Sequence, residues 1–128
     1  MGGKNEKKKI LIIEDDELLY SMYNMKLSAE GFEVFIATTG SEGLSIAVEK
    51  QPDFIILDII LPQLDGFAIL EKLKEDINTK KIPVTMLTNL NTEEDQLKAK
   101  QLGAIGYLVK ANLTPSEIST RVKEYFKT

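Results

Sequence analysis

The chain has 128 residues, 43% apolar and 28% charged, with a net charge of −4, which fits one soluble domain with a single real core. It contains no cysteine and no histidine. Disulfides, thiol catalysis, histidine-based metal sites and an imidazole general base are therefore excluded.

Taken in chain order, residues 1–8 read as a basic tail ending in Lys7-Lys8, and 9–128 as the folded domain. Met1-Gly2-Gly3 is not read as a myristoylation signal, because Glu6 stands where Ser or Thr is required. Ile10–Ile13 is a short β-rich run, followed by helical spacing from Asp16 to Glu30 that Gly31 stops. Val34–Ala37 predicts a second strand. Thr39 with Glu42 predicts a capping box for a helix to about Lys50. Phe54–Leu57 predicts the third strand, and a turn with Pro62 and Asp65-Gly66 leads to a helix over about 67–75. Val84–Leu87 predicts the fourth strand; Asn91 with Glu94 is expected to cap a helix that ends at Gly103. Tyr107–Val109 predicts the fifth strand. Thr114-Pro115-Ser116-Glu117 predicts a capped last helix with proline at its first position.

This alternation is (βα)5. Strands that are apolar on both faces belong in a parallel sheet covered by helices on each side. The expected architecture is α/β: a doubly wound, three-layer, flavodoxin-like sandwich with strand order 2-1-3-4-5.

In such sheets, sites lie beyond the carboxyl ends of the strands, at the switch in strand order. The residues there are Glu14, Asp15 and Asp16 after the first strand, Asp58 after the third, Thr88 after the fourth and Lys110 after the fifth. With strands one and three adjacent, Asp15, Asp16 and Asp58 converge. Carboxylates so close repel unless a cation joins them, and an all-oxygen set suits Mg²⁺. A carboxylate beside Mg²⁺, a lysine and a hydroxyl is a competent phosphoryl acceptor. Each residue also has a plainer role: Asp16 as a helix cap, Thr88 as a turn hydroxyl, Lys110 as a solvated strand end. The conjunction at one sheet edge carries the functional reading. No glycine-rich phosphate loop follows the first strand, so neither nucleotide-binding motif is present.

At this point the residues resemble a known family. Ile12-Ile13-Glu14-Asp15-Asp16-Glu17, the run from Asp58 through Pro62 to Asp65-Gly66, the strand ending at Thr88, and Gly103-Ala104 before Tyr107-Leu108-Val109-Lys110 resemble four ordered motifs of response-regulator receiver domains, the stand-alone chemotaxis type included. The resemblance implies that Asp58 is the phosphoacceptor and that Mg²⁺ is held by Asp15, Asp16, Asp58 and the backbone carbonyl of Ile60. It further implies that Lys110 pairs with the phosphoryl group, that Thr88 turns its hydroxyl to it, and that Tyr107 is the switch aromatic. The implied donor is a histidine kinase or histidine phosphotransfer protein, and the implied output is contact with a downstream protein rather than with nucleic acid or membrane. Such a domain is cytoplasmic and is a signalling switch, not a turnover enzyme. A small-molecule phosphatase would need an acid two residues after the nucleophile, where Ile60 stands. An alternative is a receiver excised from a longer response regulator or hybrid kinase.

Two positions depart from the family pattern: Asn89 where a small residue is common, and Ala111 where proline, often cis, is common. The cost of a non-proline cis bond, about 2.5–4 kcal/mol, tips the expectation at Lys110–Ala111 to trans. The first helix also carries more apolar surface than one sheet contact needs. Leu19, Tyr23 and Leu27 are expected to face the sheet. Leu18, Met22 and Met25 lie on the adjacent face, which reads as a broad core face or scattered exposed residues, or else as a docking surface beside the acidic loop, in which case Leu18 and Met25 are exposed.

Overall fold

Apolar runs of four or five residues recur as five parallel strands in the computed structural model, which describes residues 7–90 and 92–127. They are β1 (Lys9–Ile13), β2 (Glu33–Ala37), β3 (Phe54–Leu57), β4 (Val84–Thr88) and β5 (Gly106–Val109). Their order is β2-β1-β3-β4-β5, as expected. The helices are α1 (Glu17–Ala29), α2 (Gly40–Lys50), α3 (Gly66–Glu75), α4 (Glu93–Gln101) and α5 (Pro115–Lys127). Most of the assigned tail, residues 1–6, lies outside the described residues.

The two-residue period of the strands sorts the core into two layers. Leu11 and Ile13 of β1 join Ala47 of α2, Ile69, Leu70 and Leu73 of α3 and Ala99 of α4 on one face. Ile10 and Ile12 join Tyr23 and Leu27 of α1 and Ile118 and Val122 of α5 on the other. Because both faces are covered, β3 and β4 are buried along their whole length. An aromatic group of Phe32, Phe54, Tyr125 and Phe126 closes the amino-terminal end of the second layer. The α1–α5 seam is tied by the Lys123–Glu30 ion pair.

The helix starts obey local chemistry. Thr39 Oγ1 accepts from Glu42 N (3.1 Å), while the Glu42 carboxylate reaches Thr38 N (2.7 Å), one residue further back than the expected capping box. At α5 the box is reciprocal: Thr114 Oγ1 accepts from Glu117 N (3.2 Å) and Glu117 Oε1 accepts from Thr114 N (2.9 Å). The cap expected at Asn91 lies outside the described residues; the described cap of α4 is Thr92, whose hydroxyl accepts from Asp95 N (3.0 Å) and donates to Asp95 Oδ2 (2.8 Å). Gly31, at φ 98°, takes the left-handed conformation that ends α1.

Candidate functional site

Strand register sets the site. Ile13 pairs with Leu57 and Leu57 with Met86, so the next residues of β1 and β3, Glu14 and Asp58, emerge side by side. Thr88 pairs with Val109, so Lys110 follows directly beyond it. Backbone bonds carry the ladder one step past the strands: Glu14 N donates to Ala37 O (2.9 Å) and Asp58 N to Ile13 O (3.0 Å). Both carboxylates thus stand on a backbone that is still part of the sheet, and both are buried, Glu14 at 1% and Asp58 at 4% exposure.

Lys110 joins them. Its Nζ donates to Asp58 Oδ2 (2.8 Å) and lies 2.5 Å from Glu14 Oε1. Burial pushes the Lys110 ammonium down, and its two carboxylate partners more than offset this, so its pKa is raised. Burial likewise pushes the Glu14 carboxyl up, with Lys110 opposing. Carboxylate oxygens of Glu14, Asp15 and Asp58 all lie within 4.8 Å of one another. Three oxygen ligands with one exposed member, Asp15, fit a hard cation that retains water, as Mg²⁺ does.

Asp16 does not join this group. Its Oδ1 accepts from Leu19 N (3.2 Å) and caps α1, while its own N–H donates to Glu14 Oε2 (3.0 Å). Its Oδ1 serves the helix start, while the residue lines the same cavity as Asp15 and Asp58. Glu14 is the residue that the sequence reading left out of the cation set. The signal for it was the register: it is the direct cross-strand neighbour of Asp58.

The turn after Asp58 is compact. Ile60 N donates to Asp58 Oδ1 (3.2 Å) and Gly66 N to Ile59 O (2.6 Å). A Cβ on Gly66 would come within 2.2 Å of the Asp58 carbonyl oxygen, so this position admits only glycine without displacement. Asp65 caps α3, accepting from Ala68 N (2.9 Å).

The opposite wall is built by the segment after β4. Thr88 is fully buried and its Oγ1 accepts from Leu90 N (3.3 Å). The Tyr107 hydroxyl donates to Leu90 O (2.6 Å), and burial, then the Asp95 charge, pushes its pKa up. Ala111 N donates to Asn89 Oδ1 (3.1 Å). Lys110–Asn112 form one 3₁₀ turn, and the Lys110–Ala111 bond is trans, as expected. Glu14, Asp58, Thr88, Asn89 and Lys110 line one open cavity of about 370 Å³.

The model of the response regulator receiver domain matches residues 10–123. The chain belongs to the response regulator receiver domain family. It is 40% identical over 102 residues to the DNA-binding dual master transcriptional regulator RpaA of Synechocystis sp., covering 80% of this chain and 42% of that protein. It is 35% identical over 116 residues to the alkaline phosphatase synthesis transcriptional regulatory protein PhoP of Bacillus subtilis, covering 91% of this chain and 47% of that one. The chain thus spans about half the length of these curated relatives. Among solved structures, a CheY-like receiver domain protein from Methanospirillum hungatei superposes with a TM-score of 0.88 at 29% identity, covering 95% of each chain. The chemotaxis protein CheY4 of Vibrio cholerae gives 0.87 at 28% identity, covering 93% of this chain and 98% of that one. Receiver domains of two-component systems are signalling switches rather than turnover enzymes, and they work with histidine kinases and downstream effectors. Among the described residues no helix is long and apolar enough to cross a membrane.

Proposed function

We propose that Asp58 receives a phosphoryl group from the phosphohistidine of a kinase or phosphotransfer protein, and that the charge it gains resets the β4–β5 edge of this cytoplasmic domain. The observation that carries this reading is the Lys110 ammonium 2.8 Å from Asp58 Oδ2, beside the oxygens of Glu14 and Asp15. In the transfer, an Asp58 oxygen forms a bond to phosphorus as the phosphorus–nitrogen bond of the donor breaks, and the imidazole leaves with the electron pair. Lys110 donates to the oxygens over which charge spreads. Bound Mg²⁺ would supply further charge neutralisation at the transferring group. Glu14, Asp15 and Asp58, with the Ile60 carbonyl, would hold it; Asp16, engaged as a cap, contributes through Glu14.

A phosphoaspartate carries about −1.5 to −2 charges. That charge draws the Thr88 hydroxyl from Leu90 N, and the space Thr88 leaves admits the Tyr107 ring. The result is a population shift in the surface that a downstream protein reads. On the donor side, Leu18 and Met25 are 70% and 75% exposed on α1, whose amino end adjoins the acidic loop, whereas Tyr23 and Leu27 are buried. This apolar patch suits docking of the histidine-bearing helices.

Incubation with Mg²⁺ and a small acyl-phosphate donor, followed by intact mass, tests the reading. One added phosphoryl group is expected, abolished in Asp58→Ala and by excess chelator. Labelling that survives either condition overturns the assignment. Leu18→Ser should slow transfer from a phosphohistidine protein and leave small-donor labelling nearly unchanged. Equal slowing with both donors removes the docking surface.

A further inference from the structure

Asn89 and Ala111, the two departures from the family pattern, are bonded to each other. A backbone N–H can only donate, so the Asn89 atom that faces Ala111 N at 3.1 Å is the carbonyl Oδ1. The carboxamide is planar, and fixing one corner fixes the other: Nδ2, with two N–H groups, is turned from Ala111. Among the described residues Nδ2 has no hydrogen-bond partner. Asn89 lines the same cavity as Asp58, Thr88 and Lys110. Asn89 is exposed, so a donor open to solvent belongs to a residue on the wall of a site whose one ammonium is already divided between Glu14 and Asp58.

We propose that Asn89 is a phosphoryl-binding residue, its carboxamide locked by the Ala111 amide so that Nδ2 donates to the group Asp58 receives. The inference rests on Asp58 being the acceptor. A hydrogen bond from an amide to an anionic oxygen is charge-assisted and stronger than a neutral one. A proline at residue 111 would lack the N–H and leave the carboxamide free to rotate.

The test uses the full chain labelled with ¹⁵N, with Mg²⁺ and beryllofluoride as a phosphoryl mimic. The Asn89 side-chain NH₂ pair, assigned by its loss in Asn89→Asp, is expected to shift on loading. A pair that stays in place while the backbone signals of Asp58, Thr88 and Lys110 move overturns the proposal alone. A spectrum in which nothing moves overturns the acceptor reading, and the proposal with it. Phosphorylation by a small acyl-phosphate donor should slow about tenfold in Asn89→Ala, the effect of one charge-assisted bond. An unchanged or faster rate, as expected if the side chain merely obstructs the site, is the opposite result. Ala111→Pro should slow the reaction roughly threefold alone and not at all in the Asn89→Ala background. A loss in both backgrounds would show that no lock exists.

Discussion

The two loops that flank Asp58 are built differently. The segment after β3 is braced at its base by backbone, with Gly66 N on Ile59 O and Gly66 packed against the Asp58 carbonyl, beside side-chain bonds from Ile60 N to Asp58 Oδ1 and from Ala68 N to Asp65 Oδ1. The segment after β4 is held by side chains: Leu90 N on Thr88 Oγ1, Tyr107 on Leu90 O, and Ala111 N on Asn89 Oδ1. Backbone bonds within a close-packed turn have no alternative partners. A hydroxyl or carboxamide can exchange one partner for another by rotation about a single bond. The acceptor thus adjoins a turn with a backbone brace, and the wall that must respond to new charge is held by exchangeable side-chain contacts.

Substitutions can break this contrast at either wall. The largest loss of stability is expected at Gly66→Ala, where the new Cβ forces the β3–α3 turn off Asp58. It should cost about 1–3 kcal/mol, read as a lowered denaturation midpoint, and slow phosphorylation as well. A fully stable, fully active Gly66→Ala protein would show that the turn yields. Tyr107→Phe removes one bond to the β4–α4 segment and should cost about 1 kcal/mol. Faster exchange of the Leu90 amide with unchanged Mg²⁺ affinity is expected; a change in affinity would mean the walls are not separate. The smallest effect belongs to a side-chain clasp remote from the site. Hydrogen bonds with the Thr114 backbone and hydroxyl hold the Glu117 carboxyl below its ordinary 4.5. Its contribution is present above that value and lost as pH falls through the depressed one. Glu117→Gln should flatten this acid limb of the stability curve, and an unchanged limb would remove the cap from the account.

The same contrast explains what the sequence made legible. The five strands, their order and the edge where Asp58, Thr88 and Lys110 meet follow from apolar runs and crossover handedness, which are local or topological. Choosing among Glu14, Asp15 and Asp16 required the register of β1 against β3, a long-range fact that residue type does not contain. Asp16 looked like a ligand by its neighbours and is a cap by its position at the helix start. At α4 the described cap is Thr92, whose hydroxyl accepts from Asp95 N, while the expected cap at Asn91 lies outside the described residues. Asn89 and Ala111 read as two separate anomalies because their pairing spans two strands of the sheet.

The Tyr107–Leu90 bond also gives the protein an optical handle. There is no tryptophan, so the near-ultraviolet signal of the folded chain is dominated by four tyrosines. Tyr23 lies in the core, and Tyr125 packs edge-on to Phe54 and Phe126 at the far end of the sheet. Tyr107 is the one whose phenol is bonded to the segment that carries the switch hydroxyl. When that phenol leaves the Leu90 carbonyl, its absorption band and its chiral environment change; Tyr23, which feels the charges of Lys110, Glu14 and Asp58, senses the same site, while Tyr125 stands at the far end of the sheet. Circular dichroism in the tyrosine band would then follow the state of the site without any attached label.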